Sequence, residues 1–209
     1  MARVFSAAAS VALTVTFALA QTPQKSGATP SVGVFMDFDA APGDAALQTM
    51  ETEVSRLLRP AGVSLDWRLA KENRGDESFA GLVVVKFKGS CRVERWSAPP
   101  EDFGTLGETR ALGSTKVVNG RVLPFSEVEC DQVRKALGYL DPAVGSTERQ
   151  RVLGVALARV LAHELYHVLG RTTGHAARGL AKASQSLQDL VSAPVMEFQQ
   201  SDFPKIDQP

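Results

Sequence analysis

HELYHVLGRTTGH, His163 to His175, is the stretch on which the reading of this chain turns. It contains all three histidines of the 209 residues. The first five letters sit near the end of a long run with few helix breakers. Ser146 or Thr147 offers an N-cap, Glu148 stands in the first turn, and Gly170 is the stop. Leu153, Leu157, Val160, Leu161, Leu165 and Val168 give that helix an apolar face. Gly154 inside it costs about 1 kcal/mol relative to Ala and is expected to mark a close approach to a sheet. Residues four apart on a helix lie one turn apart on the same face, so His163 and His167 project side by side.

Two neighbouring imidazoles can present ring nitrogens to one cation, and Glu164 beside them can reach a water held by that cation without binding it. Zinc lowers the pKa of bound water from 15.7 to about 7, and a carboxylate then takes the proton as general base. Zinc needs a third protein ligand, with the fourth place left for water. Gly170 suits a left-handed turn that sends the chain back, and Arg-Thr-Thr-Gly is short enough to bring His175 to the open side. The competing readings are an amphipathic helix with two half-exposed histidines and a surface glutamate, and a His175 that is a loop residue. In the second case Asp189 is the runner-up ligand. Tyr166 points away from the histidine face and is expected in the core. Tyr139 is a candidate for polarising a scissile carbonyl, though nothing in the sequence places it there, and Arg171 is either a ligand for a substrate carboxylate or a solvated side chain.

His163-Glu164-x-x-His167-x-x-Gly170 resembles the zincin metallopeptidases, and more narrowly the metzincins, which read His-Glu-x-x-His-x-x-Gly-x-x-His (or Asp). Their third ligand would fall at Thr173, so this sequence departs from the pattern by two residues, and the role is carried to His175. The extended spacing is similar to that of small uncharacterised exported bacterial proteins. The resemblance implies a Zn2+ peptidase with Glu164 as catalytic base and a peptide or protein as substrate. It also implies a structural methionine turn below the metal, for which Met196 is the candidate. Thermolysin-like zincins would place a glutamate where Leu187 stands, and that subclass fits poorly. The alternative function is a non-catalytic exported protein that uses the same scaffold to bind metal. Intact Glu164 argues against it.

Working outward, SVGVFMDFD (Ser31–Asp39) reads as a strand, followed by Pro42-Gly43 and a helix capped by Asp44 and running to about Arg59. Leu47, Met50, Val54, Leu57 and Leu58 form its apolar face, and Pro60 with Gly62 ends it. VSLDWRL (Val63–Leu69) alternates as a second strand. GLVVVKFK (Gly81–Lys88), apolar through its middle, reads as an interior strand. Trp96–Phe103 is Pro-rich and irregular, and Thr105–Thr109 is a candidate short strand. Asn119-Gly120 between β-branched residues signals a hairpin, and Val133–Leu140 a short helix. The fold class is therefore α+β: a mixed sheet with one upstream helix, a long metal-bearing helix and a small C-terminal subdomain. It is a single domain over residues 31–209, expected to be a monomer. An edge within Thr105–Val122 is the expected place for an extended peptide to add as a strand.

Residues 1–20 differ in kind: Arg3, an apolar run, then Ala18-Leu19-Ala20. This reads as a cleaved signal, with residues 21–30 a flexible mature N-terminus. An uncleaved membrane anchor is the competing reading. Secretion, outside the cell or into a periplasm, permits Cys91 and Cys130 to pair, closing a loop of about 40 residues. Two separate buried thiols are the alternative. Lys+Arg and Asp+Glu are both 23, so no net charge draws nucleic acid or, after signal cleavage, a membrane surface.

Overall fold

The computed structural model describes residues 31–72, 75, 78–93, 111–138, 144–191 and 196–202. The expected signal, the 105–109 strand, the irregular 96–103 stretch and Tyr139 lie outside these residues.

β1 (Ser31–Ala40), β2 (Ser64–Leu69), β3 (Gly81–Ser90), β4 (Gly113–Val118) and β5 (Arg121–Glu129) form one five-stranded sheet in the order β2-β1-β3-β5-β4. All neighbours are parallel except β4, which pairs antiparallel with β5 at the edge. The apolar middle of β3 is explained by its place between β1 and β5, at the centre of the sheet. Asn119 and Gly120, at φ 50° and 75°, make the tight turn between β4 and β5. β5 is longer than the hairpin signal suggests, and Pro124 hides it. That proline stands where the ladder slips between Thr115 and Val117, a place where a missing N–H is tolerated.

α1 (Asp44–Leu58), α2 (Cys130–Leu137), α3 (Ser146–Leu169) and α4 (Leu187–Val191) complete the element order. Val32, Val34 and Met36 of β1, with Val83, Val85 and Phe87 of β3, alternate inward. They meet Met50, Val54 and Leu57 of α1 and the inner half of α3 in one core. The other side of the sheet carries Lys86 between Asp37 and Asp39, and Lys88 against Glu127. Among the described residues α3 is the one helix long and apolar enough to cross a membrane. Of its most apolar window 78% is buried inside the fold, so its apolarity serves the core.

Three local expectations are corrected. The N-caps are Gly43 for α1 and Gly145 for α3, without side-chain caps, so Asp44 and Ser146 are first helical residues and not the caps. α2 spans Cys130–Leu137, three residues earlier at its start than expected. Gly154 marks a close approach to α1, not to the sheet. A Cβ there would stand 2.6 Å from the Ala46 carbonyl oxygen and 2.7 Å from Thr49 Cβ. Cys91, after β3, and Cys130, opening α2, are joined in a disulfide with Cα atoms 4.9 Å apart, and both are fully buried.

Candidate metal centre

α3 is buried on nearly every side from Leu153 onward, which is why it is rich in Ala and Leu there; the polar exceptions are Arg159 and, in its last two turns, Glu164 and His167. Glu164 is 4% exposed and His167 7% exposed. The helix does not end as glycine chemistry suggested. Gly170 stays in the right-handed region at φ −81°, and the left-handed residue is Arg171 at φ 45°. Arg171 N–H bonds the Val168 carbonyl, and Thr172 N–H reaches back to the His167 carbonyl at 3.1 Å. That pair of bonds is a Schellman ending, shifted one residue past the glycine.

The shift places the Thr172 carbonyl 2.8 Å from His167 Nδ1. The Leu180 carbonyl stands 2.8 Å from His163 Nδ1. A carbonyl only accepts, so both Nδ1 atoms carry the proton and both Nε2 atoms keep a bare lone pair. Those two Nε2 atoms face each other at 3.1 Å. Two lone pairs at that separation repel unless a cation or proton lies between them. Tetrahedral zinc with bonds of about 2.0–2.1 Å would hold its ligands about 3.3–3.4 Å apart. His175, exposed on the returning chain, stacks on the His163 ring at 5.3 Å and meets the His167 ring edge-on at 4.7 Å. The ligand atoms of the three histidines all lie within 4.8 Å of one another, so they can hold a metal ion. Carbonyl-fixed imidazoles with converging bare nitrogens fit such an ion, and their neutrality is favoured too. Burial pushes His163 down to about 4 and lowers His167.

Glu164 points to the other strand-bearing wall. Burial pushes its carboxyl up to about 7, against the lowering effect of a hydrogen bond from Thr115 Oγ1 to Oε2 at 2.7 Å. A cleft of about 260 Å³ runs between β4 and the end of α3. Gly113, Thr115, Val117, Glu164, Thr173 and the three histidines are on its walls. Thr173, the position of the shorter metzincin spacing, therefore lines the cleft, while His175 joins the donor cluster.

The remaining candidates fall elsewhere. Asp189 is engaged by Lys182 and by the Ser186 amide and hydroxyl at the start of α4, and it is not in the histidine cluster. Tyr166 is fully buried, with its ring stacked on Phe198 at 5.8 Å, as core packing requires. Met196 is partly buried against the core, two residues before Phe198. Arg171 lies outside this cleft and lines a separate one, with Val168 and Pro124.

Sequence reasoning missed three residues. Thr115 and Gly113 on β4 touch Glu164; their only sequence signal is a small-x-Thr alternation on a strand whose partner could not be read. Arg159, 3% exposed one turn before His163, donates to the Asp189 carbonyl at 2.8 Å and lies 3.9 Å from Glu53. It thus ties α4 and α1 to the helix that carries His163 and His167. No protein-family model matches the chain, and no curated protein matches it.

Proposed function

We propose that the protein is a zinc-dependent peptidase of metzincin-like type that acts outside the cytoplasm. The observation that carries this reading is the convergence of the bare Nε2 atoms of His163 and His167 with His175 beside the Glu164 carboxylate, all in one cleft. His163, His167 and His175 would hold the ion, which when bound supplies an acidified water and polarises a carbonyl. The chain's own residues do the rest. Glu164, dry and adjacent, takes the proton from water and passes it to the leaving amine. Among the described residues β4 is an edge strand beside the cleft, so an extended peptide can add along its outer side and lie across the histidines. The resemblance in the motif and the order strand, helix, strands, metal-bearing helix support the same reading. The buried Cys91–Cys130 disulfide fits an oxidising compartment such as a periplasm or the cell exterior.

The test is metal content together with cleavage of a broad peptide library, for wild type and Glu164→Gln. The expected result is one zinc per chain in both, with turnover in the variant lower by about 10²–10⁴-fold. One zinc per chain with no cleavage of any peptide by wild type favours a non-catalytic metal-binding protein. Absence of stoichiometric metal from material never exposed to chelator removes both readings.

A further inference from the structure

The two strands of the hairpin do more than wall the cleft. Thr115 and Ser126 are a cross-strand pair in the β4–β5 register, and their hydroxyl oxygens lie 3.0 Å apart. Ser126 is 2% exposed. Thr115 Oγ1 is 2.7 Å from Glu164 Oε2 and 3.3 Å from the Glu164 backbone oxygen. When Glu164 is ionised, as a general base is before it takes a proton, its carboxylate only accepts, so the single Thr115 hydroxyl proton goes to Oε2, and Ser126 gives its own proton to Thr115. In that state the chain of donors runs from Ser126 to Thr115 to Glu164. Two residues earlier on the same side of β4, Gly113 lies against the other oxygen. A Cβ there would stand 2.8 Å from Glu164 Oε1 and 3.0 Å from Glu164 Cγ.

We propose that Thr115, backed by Ser126, is a positioning residue for Glu164: it holds Oε2, so that Oε1, in the space Gly113 leaves, is the oxygen that exchanges protons with the attacking water. A carboxylate on a helix turns about its last side-chain torsion over a broad, roughly two-fold profile. A single charge-assisted hydrogen bond from a rigid strand selects one orientation and keeps the reactive oxygen aimed while the proton moves. The inference rests on the peptidase reading, in which Glu164 handles the proton.

The experiment uses the full-length protein as Thr115→Val, Thr115→Ser and Ser126→Ala. Three readouts are taken: kcat and KM on a cleaved library peptide, zinc content, and the 13C resonance of the Glu164 carboxyl, assigned by its loss in Glu164→Gln. Thr115→Val is expected to lower kcat by about 10–100-fold, the loss typical of removing an outer-shell partner, with KM and zinc content unchanged. Thr115→Ser restores kcat to within a few-fold, and Ser126→Ala gives a smaller, few-fold loss. The Glu164 carboxyl resonance moves in Thr115→Val and not in Thr115→Ser. Wild-type kcat in Thr115→Val, equal losses in Val and Ser, or a carboxyl resonance indifferent to Thr115→Val overturns the proposal. If wild type cleaves nothing, the peptidase reading fails by itself, and the carboxyl resonance still decides whether Thr115 holds Glu164.

Discussion

Arg171 occupies a backbone conformation that glycine adopts at no steric cost, while the glycine one residue earlier spends its freedom in an ordinary helical turn. The next residue gives the reason. Ending the helix one position later lets Thr172 offer its carbonyl to His167 Nδ1. Arg171→Gly should therefore raise stability by about 0.5–1 kcal/mol in urea unfolding, with metal content unchanged. His175 sits exposed at the far end of the same turn, so its loss should leave the fold intact. His175→Ala is expected to keep the wild-type circular dichroism spectrum while zinc affinity, measured by chelator competition, falls more than about 100-fold. Burial sets a pH dependence for chelator-treated protein. The folded pKa of His163, about 4, lies below the ordinary 6.5 of the unfolded chain. The unfolded chain therefore takes up a proton that the folded chain refuses. This contribution to stability is complete above about pH 6.5 and is lost as pH falls from there toward 4. Glu164, pushed up to about 7, holds a proton in the folded chain over the same range and acts in the opposite sense, so between pH 7 and pH 5 the urea midpoint of metal-free wild type should fall relative to that of His163→Gln.

At the scale of elements, the packing of α3 on α1 is set by the absence of a side chain at Gly154. Helix propensity alone predicts that Gly154→Ala stabilises by about 1 kcal/mol. The Ala46 carbonyl 2.6 Å from the added methyl opposes this, because it belongs to backbone and cannot rotate away. Overpacking of this kind costs about 1–3 kcal/mol, so the sign should reverse. A lower thermal midpoint in Gly154→Ala is the expected outcome; a higher one would show that α1 slides freely on α3. The same element carries Arg159, whose burial draws α4 and the Lys182–Asp189 pair against the helix near His163. The Leu180 carbonyl that orients His163 lies in the segment held this way.

At the scale of the whole molecule, the Cys91–Cys130 bridge joins β3 to α2 across a sequence separation of 39. Loop-closure entropy assigns it about 3–4 kcal/mol. The Cys91→Ser, Cys130→Ser double variant should lose about that much in chemical unfolding while keeping the histidine cluster, which lies on other elements. Zinc binding that survives the loss of the bridge would show that the two are independent.

Much of this arrangement was legible because its signals are local. The apolar run of β3, the Asn119-Gly120 turn, the breakers Pro60 and Gly62 after α1, and the four-residue spacing of His163 and His167 each fix a conformation from neighbours in the chain. So did the presence of only two cysteines in the sequence, which left one possible bridge. Other features depend on which surfaces meet. Gly154 reads identically whether a sheet or a helix approaches it, and β5 is concealed because Pro124 becomes tolerable only opposite a bulge. Thr115 reaches Glu164 only through β4 lying as the antiparallel edge against α3. The sequence by itself determined that two imidazoles stand one turn apart on one helix face, with a carboxylate next to the first. The tertiary structure decided the rest: carbonyls from Thr172 and Leu180 hold the proton on Nδ1 and leave both Nε2 atoms bare, and His175 returns beside them. Tautomer and convergence are properties of contacts between distant segments, and no spacing along the chain encodes them.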